Sequence, residues 1–287
     1  MNKKVAIIGN GWVGKAMKEL FPEALVYVRT PYLAKTPELQ ATYTPEKERI
    51  NQCDIAFICV PTPNEKELDT SVGWLKNGEG KLDTSIVEEC IAWCECPLIV
   101  IRSTVNPGDC DRWADKYGKN IIMQPEYLGE TPQHPLLDTT QTNFLIIGGD
   151  YTDHRGEKKS TGFSRELIDL YTTVYNANVK IRQVSNLEAE IIKLSENRAI
   201  AYKVAQCQEL YDVCEKAGVD YYTVRDAVYG DDPRFNLWWT FVYPDKRGFN
   251  SKCIPKDIYA WCAWAESLGY EPKITRAILE KNKEWIA

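Results

Sequence analysis

Short, mostly apolar runs recur through the first 184 residues, at Lys3–Ile8, Ala24–Val28, Asp54–Val60, Pro97–Ile101, Asn120–Met123 and Phe144–Ile147. Each is too short for a helix and lacks regular polar alternation, which is the pattern of a strand buried on both faces. Helix-compatible segments such as Thr84–Cys94 and Asp109–Tyr117 separate them, and a last unit, helix Ser164–Tyr175 with strand Val179–Gln183, closes the series near Val184. Alternation of this kind predicts an α/β, Rossmann-type doubly wound parallel sheet with helices on both faces.

The pattern then changes. Asn186 to Ala217 contains no glycine or proline, and Leu187, Ile191, Leu194, Ala201, Ala205 and Val213 recur at helical spacing until Gly218. This predicts one long helix, followed by helices over Tyr221–Tyr229, Pro255–Leu268 and Lys273–Trp285. The expected organisation is a Rossmann-type NAD(P)-binding domain over 1–184 and an all-helical domain over 185–287. Apolar positions on several faces of the long helix suit a core or a homodimer interface.

Composition narrows the function classes. The 287 residues, 44% of them hydrophobic, supply a sizeable core without staples. A net charge of −6 with acids and bases interspersed gives no electrostatic footprint for nucleic acid or an anionic membrane, and leaves a small polar or anionic substrate. The N-terminal apolar run is too short for a signal peptide and no stretch approaches a membrane span, so a cytoplasmic location is expected. Ten cysteines are then read as free thiols. Cys90, Cys94 and Cys96 lie close together, but with only His134 and His154 and no second C-x-x-C half-site, no metal is expected. Acid and base chemistry would fall to lysine, carboxylate or thiol.

The run G-N-G-W-V-G, Gly9 to Gly14, follows a predicted strand and opens a predicted helix. Gly9 would permit the turn, Gly11 the approach of a pyrophosphate, and Gly14 close packing of helix on strand, with the N–H groups around Trp12 and Val13 offered to phosphate. A glycine turn without a ligand has the same pattern. An NAD site expects an acid at the end of the second strand, where Arg29 stands instead. A cation there suits a 2′-phosphate and keeps NADP open, or is a solvated charge.

Thr104, Glu126 and Glu130 follow the fourth and fifth long strands, at the edge where such sheets bind ligands. They are read as substrate or water contacts, or as a helix cap and two solvated acids. Lys193 and Asn197 share a helix face with Glu190, either to stabilise an oxyanion or as an exposed pair. Cys253 lies just before a helix opened by Pro255, where the helix dipole, Lys252 and Lys256 favour a thiolate. The alternative is an inert thiol.

Taken in order, G-N-G-W-V-G, F-I-C-V-P-T-P (57–63), L-D-T-S (82–85), R-S-T-V-N-P-G (102–108), Q-P-E-Y-L-G-E (124–130), F-L-I-I-G-G (144–149), E-I-I-K-L-S-E-N (190–197), D-D-P-R-F (231–235) and G-F-N-S-K-C-I-P-K-D (248–257) resemble the UDP-glucose/GDP-mannose dehydrogenase family. The resemblance implies NAD-dependent oxidation of a sugar nucleotide's C6 alcohol to a carboxylate, through a thiohemiacetal and thioester on Cys253. It implies Lys193 and Asn197 at the oxyanion, and Asp257, Glu126 and Thr104 handling proton and water. Val60, Pro61, Thr62, Ser103, Thr104, Glu130 and Lys256 would join the glycine turn at the cofactor. Tyr127, Leu128, Glu130, Phe249 and Asn250 would contact substrate, and Arg234 would reach the substrate of a neighbouring subunit.

The chain departs from the family in three places. Members continue into a second α/β domain that binds the nucleotide, whereas this sequence stops at Ala287. The expectation is a smaller sugar substrate, or a separate chain supplying that domain. The family's G-F-G-G-S-C is G-F-N-S-K-C here, with Asn250, Ser251 and Lys252 beside the nucleophile, and Arg29 replaces the ribose acid. A non-catalytic cofactor-binding dimer and a hydroxyacid dehydrogenase of the wider superfamily are the alternatives.

Overall fold

The computed structural model describes residues 3–29, 37–66, 79–129, 142–152, 155–160, 162–175, 179–251 and 253–286. The chain divides into two compact units, Met1–Thr62 with Asp83–Lys193, and Pro63–Leu82 with Leu194–Ala287.

In the first unit, β1 (Val5–Ile8), α1 (Trp12–Leu20), β2 (Leu25–Tyr27), α2 (Pro37–Gln40), β3 (Tyr43–Thr44), α3 (Lys47–Ile50) and β4 (Ile55–Ile58) form the opening half of a parallel sheet. After a hairpin belonging to the second unit, β5 (Asn64–Lys66) and β6 (Glu79–Leu82), the sheet resumes with α4 (Ser85–Trp93), β7 (Leu98–Ile101), α5 (Asp109–Tyr117) and β8 (Ile121–Met123). The strand order is β3-β2-β1-β4-β7-β8 and every pair is parallel.

The period-2 alternation of each strand feeds two cores. Ala6, Ile8, Ala56, Ile58, Ile99 and Ile101 enter one apolar cluster, while Val5, Ile7, Ile55, Phe57, Leu98 and Val100 enter another on the opposite face. Both faces are covered, which is why these strands read as continuous apolar runs. Tyr27, Ile8, Ile58, Ile101 and Met123 stand in register, so the carboxyl ends of five strands align along one edge.

The sequence places Phe144–Ile147 and Val179–Gln183 in this same sheet, and the structure does not. β9 (Phe144–Thr152), β10 (Lys158–Ser160) and, after α6 (Ser164–Tyr171), β11 (Lys180–Ser185) form a separate three-stranded sheet, with β9 antiparallel to β10 and parallel to β11. The reason is local. At the start of α7 (Asn186–Ala217), the fully buried Asn186 accepts from the Met123 backbone N–H at 2.9 Å and donates to the Ile121 carbonyl at 3.0 Å. Its carboxamide thus occupies the edge groups of β8 that a further strand would need.

Glu190, one turn into α7, is also fully buried. Its carboxyl accepts from the backbone N–H groups of Gly108 (2.6 Å) and Cys110 (2.9 Å). Gly108 precedes α5 at φ +96° and has no side chain to cap that helix, so Glu190 does so from another element. Burial pushes the Glu190 carboxyl up to about 8, against the pull of the two N–H bonds and the Cys110 thiol.

The second unit contains the hairpin, α7 from Leu194 onward, α8 (Tyr221–Arg225), α9 (Ile254–Ser267) and α10 (Lys273–Ile286). The segment expected to be helical over Tyr221–Tyr229 starts as α8, capped by Asp220 accepting from the Thr223 N–H, and continues as a π-helical turn over Asp226–Gly230. The hairpin has no sequence signal of its own. It is held by Leu82, clustered with Leu194 and Ala260, and by Asn64 donating to the Lys256 carbonyl at 3.2 Å. Ala201, Ala205, Phe249, Ile258, Tyr259, Cys262 and Leu279 form the main core of this unit. No described helix is long and apolar enough to cross a membrane.

Two outcomes are expected. Asn186→Ala orphans a buried N–H and a buried C=O and should cost about 2–4 kcal/mol in urea unfolding, with Asn186→Asp, which keeps the acceptor, losing less. For Glu190, the folded protein holds the proton more tightly than the unfolded chain, so its contribution is complete below about pH 4.5 and is lost as pH rises through about 8. Unfolding at pH 5 and pH 9 should show a decline in the parent, on the order of a few kcal/mol, that Glu190→Gln flattens.

Candidate functional site

The aligned strand ends of the first unit present three loops. After β1, Gly9 adopts φ +108°, and a Cβ there would lie 2.5 Å from the Cys59 carbonyl oxygen; a Cβ on Gly14 would lie 2.1 Å from the Gly9 carbonyl oxygen. Both glycines are demanded by packing of strand, turn and helix. Gly11 differs, because a Cβ there would meet nothing within 4 Å. The first helical bond of this turn is Lys15 N–H to Gly11 C=O at 3.0 Å, so the N–H groups of Trp12, Val13 and Gly14 precede the helix's own ladder. Trp12 is half exposed and Val13 packs on the core. Open space over Gly11 beside a helix N-terminus fits the pyrophosphate of a dinucleotide.

Arg29, past the end of β2, is exposed and pairs with Glu89 of α4 at 2.5 Å. Glu89 thus competes for the cation on which the argument for a 2′-phosphate rests.

After β4 and β7, Ser103 joins the two loops. Its hydroxyl donates to the Val60 carbonyl at 2.7 Å and accepts from the Val60 N–H at 2.9 Å. The Ser103 side chain therefore fixes the backbone of Val60; Thr62 is buried and Thr104 half-buried. After β8, Glu126 is more constrained than a solvated acid. One of its oxygens accepts from the Tyr127 and Leu128 N–H groups at 2.7 and 2.8 Å, and the other pairs with the buried Arg102 guanidinium. Arg102 also donates to the Pro125 carbonyl at 3.2 Å. Three of the carboxylate's roughly four acceptor sites are thus taken. On α7, the buried Lys193 ammonium stands 5.4 Å from the centre of the Tyr127 ring. Glu130 lies outside the described residues, as does Lys252.

The second unit brings together another group. Asp257, only 1% exposed, accepts from the Asn197 amide at 2.5 Å and from the Lys256 ammonium at 2.7 Å. The cation and the charge-assisted hydrogen bond offset the cost of burying this side chain. One helical turn earlier, Cys253 is the N-cap of α9, whose first turn contains Pro255 and Asp257. Of the ten cysteines Cys253 alone is exposed. Burial pushes the thiols of Cys59 and Cys90 up to about 12 and that of Cys262 to about 11, out of reach of thiolate chemistry at neutral pH. Phe249 is buried and Asn250 half-buried in the loop before Cys253. Arg234 is 80% exposed and clamps Asp232 of its own chain through Nε at 2.9 Å and Nη2 at 2.5 Å.

Sequence reasoning passed over two of the residues that shape these groups. Arg102 was readable as a charge at the end of an apolar strand, and Glu190 as an acid on the Lys193 face, but neither partner was readable from spacing.

Comparison with known proteins identifies the family. Residues 32–175 match the model of the UDP-glucose/GDP-mannose dehydrogenase family, NAD binding domain, and residues 187–284 match the model of the central domain of the same family. The glycine turn precedes the first matched residue. UDP-glucose 6-dehydrogenase of Rickettsia typhi is 27% identical over 235 residues, covering 80% of this chain and 49% of that protein. The Bacillus subtilis enzyme of the same name is 26% identical over 317 residues, covering 98% of this chain and 63% of that protein. The chain thus spans about half to two thirds of the length of these relatives. Among solved structures, a UDP-glucose dehydrogenase from Pyrobaculum islandicum shares the fold with a TM-score of 0.77 at 23% identity, covering 99% of this chain and 68% of that one. A Pseudomonas aeruginosa GDP-mannose dehydrogenase gives 0.60 at 22% identity, covering 98% and 69%. With two consecutive domain models matched across most of its length, on a parallel sheet whose first strand leads into a glycine turn, the chain belongs to the UDP-glucose/GDP-mannose dehydrogenase family.

Proposed function

We propose that this chain is a nucleotide-sugar dehydrogenase, oxidising a sugar C6 alcohol to a carboxylate in the manner of UDP-glucose to UDP-glucuronate, with Cys253 as nucleophile. The observation that carries the reading is the contrast among thiols: nine are buried, and the exposed one sits at the N-terminus of a 14-residue helix, one turn from a buried aspartate. That is where a thiolate is stabilised and still reachable.

NAD, when bound, accepts a hydride in each of two oxidation steps. The chain's own residues do the rest. The N–H groups at the start of α1 hold the pyrophosphate, with the loops carrying Val60, Pro61, Thr62, Ser103 and Thr104 completing the cofactor site. The first oxidation gives an aldehyde. The Cys253 thiolate adds to it as a thiohemiacetal, the second hydride loss gives a thioester, and water releases the carboxylate and regenerates the thiol. Lys193 and Asn197 stabilise the oxyanion at each stage. Asp257, held by Asn197 and Lys256, takes up and returns the proton. Glu126 keeps one acceptor site for the hydrolytic water, and Arg102 holds its other oxygen in place.

Tyr127, Leu128, Glu130, Phe249 and Asn250 are assigned to substrate, with Arg234 reaching the substrate of a second subunit in a homodimer. The nucleotide is contacted further by a second domain or another chain. The domain organisation proposed is 1–184 for cofactor binding and 185–287 for the helical part, in a cytoplasmic enzyme.

The test is a screen of sugar nucleotides and simple hydroxyacids against NAD and NADP, read by nicotinamide absorbance. Reduction of NAD in preference to NADP is expected, two equivalents per carboxylate formed. Cys253→Ser should lower carboxylate formation by at least about a thousandfold, and Lys193→Ala should lower kcat by about 100–1000-fold. Cofactor binding without turnover on any sugar nucleotide would replace this reading with a non-catalytic one, and turnover of a hydroxyacid unaffected by Cys253→Ser would replace it with hydroxyacid oxidation.

A further inference from the structure

The loop that delivers Cys253 is fixed at three successive residues before it reaches α9. Arg247 donates to the Gln208 side chain and, at 3.2 Å, to the Gln208 carbonyl, and pairs with Asp212 at 2.6 Å; all are on α7. Trp285 of α10 donates its indole N–H to the same Asp212 at 2.8 Å. Gly248 adopts φ +69°, and a Cβ there would lie 2.6 Å from the Asn282 Oδ1 and 2.8 Å from the Ile286 side chain, so the backbone runs against α10 at a distance only glycine allows. Phe249 is then held by its main chain. Its N–H donates to Asn282 Oδ1 and its C=O accepts from Asn282 Nδ2, both at 2.8 Å and both buried. The Asn282 carboxamide thus imitates a neighbouring strand for one residue of an irregular loop.

At the far end of the loop, the Ile254 N–H donates to the Ser251 hydroxyl at 3.2 Å. The Cys253 side chain is exposed, and its carbonyl accepts from the Asp257 N–H at 3.0 Å, so the main chain that carries the thiol is the junction between this loop and α9.

We infer that Asn282 is a positioning residue for Cys253: by clamping the Phe249 backbone it sets the approach of the loop to α9 and so holds the thiol at the helix N-terminus. The inference rests on the reading of Cys253 as the nucleophile, and it gives α10 a part in the reaction without contact to any reactant. Arg247 grips the loop through charge from α7, whereas Asn282 grips its main chain at Phe249, two residues nearer the thiol.

The experiment measures the alkylation rate of Cys253 by iodoacetamide in the intact folded chain, by mass of its peptide, between pH 6 and 9.5; it needs no substrate or cofactor. Asn282→Leu, similar in size but without polar atoms, should slow Cys253 by about tenfold at the acid end and move the midpoint upward by about one unit, since each unit is a tenfold loss of thiolate. Asn282→Asp keeps the acceptor for the Phe249 N–H and loses the donor, and should fall between. Leu279→Ala, in the core on the same helix, should lower the unfolding midpoint while leaving the Cys253 rate within about twofold of the parent. An unchanged rate in Asn282→Leu, or equal slowing in Leu279→Ala, overturns the inference. Should Asn282→Leu not fold, an unchanged rate in Asn282→Asp overturns it in the same way. Failure of the nucleophile reading shows separately, as loss of neither aldehyde nor carboxylate formation in Cys253→Ser, and leaves the comparison of alkylation rates able to decide the clamp.

Discussion

The two hydrogen bonds from Asn186 to the edge of β8 constrain much of the first unit. They end the six-stranded sheet by occupying the backbone groups of Ile121 and Met123, and they set where the longest helix begins. From that start, helical geometry places Glu190 against the N-terminus of α5 and Lys193 over Tyr127. β9 then passes close enough that Gly148 has no room for a Cβ, which would lie 2.5 Å from the Asn186 side chain. One buried amide thus explains the sheet's size, the second sheet's independence and the placement of Glu190 and Lys193.

Three carboxyl groups, Asp257 and Glu190 buried and Glu126 largely so, are each matched differently. Glu126 faces a guanidinium and two backbone N–H groups, Asp257 an ammonium and an amide, and Glu190 two N–H groups with no cation. The first two meet a positive charge that offsets their burial. Glu190 has none and is pushed up to about 8. A carboxyl group thus stands as a fixed acceptor, as part of an ammonium–amide cluster or as a helix cap because its surroundings differ, and in each case at least one partner comes from an element distant in sequence.

Much of this was legible in the chain. The buried strands were readable from unbroken apolar runs, α7 from the absence of glycine and proline, and the Cys253 helix start from Pro255. The glycine turn was readable in context because Gly9 and Gly14 answer steric demands that follow from strand, turn and helix in succession. Arg29 was not, since its partner Glu89 lies sixty residues on in α4. Glu126 and Ser103 carried a signal for the edge they occupy and none for what they bind. The hairpin of β5 and β6 carried no periodic signal, because Leu82 and Asn64 fix it through contacts with α7 and α9.

The sequence by itself determined the strand and helix types, the aligned carboxyl edge of the strands, and the order of motifs that marks the family. These follow from periodicity and from residues a few positions apart, which sequence displays directly. The tertiary structure alone decided which strands share a sheet, which carboxylates meet a cation, and which one of ten thiols stays exposed. Such outcomes depend on hydrogen bonds and burial between segments far apart in the chain, and a backbone edge or a solvent path exists only after those segments have packed.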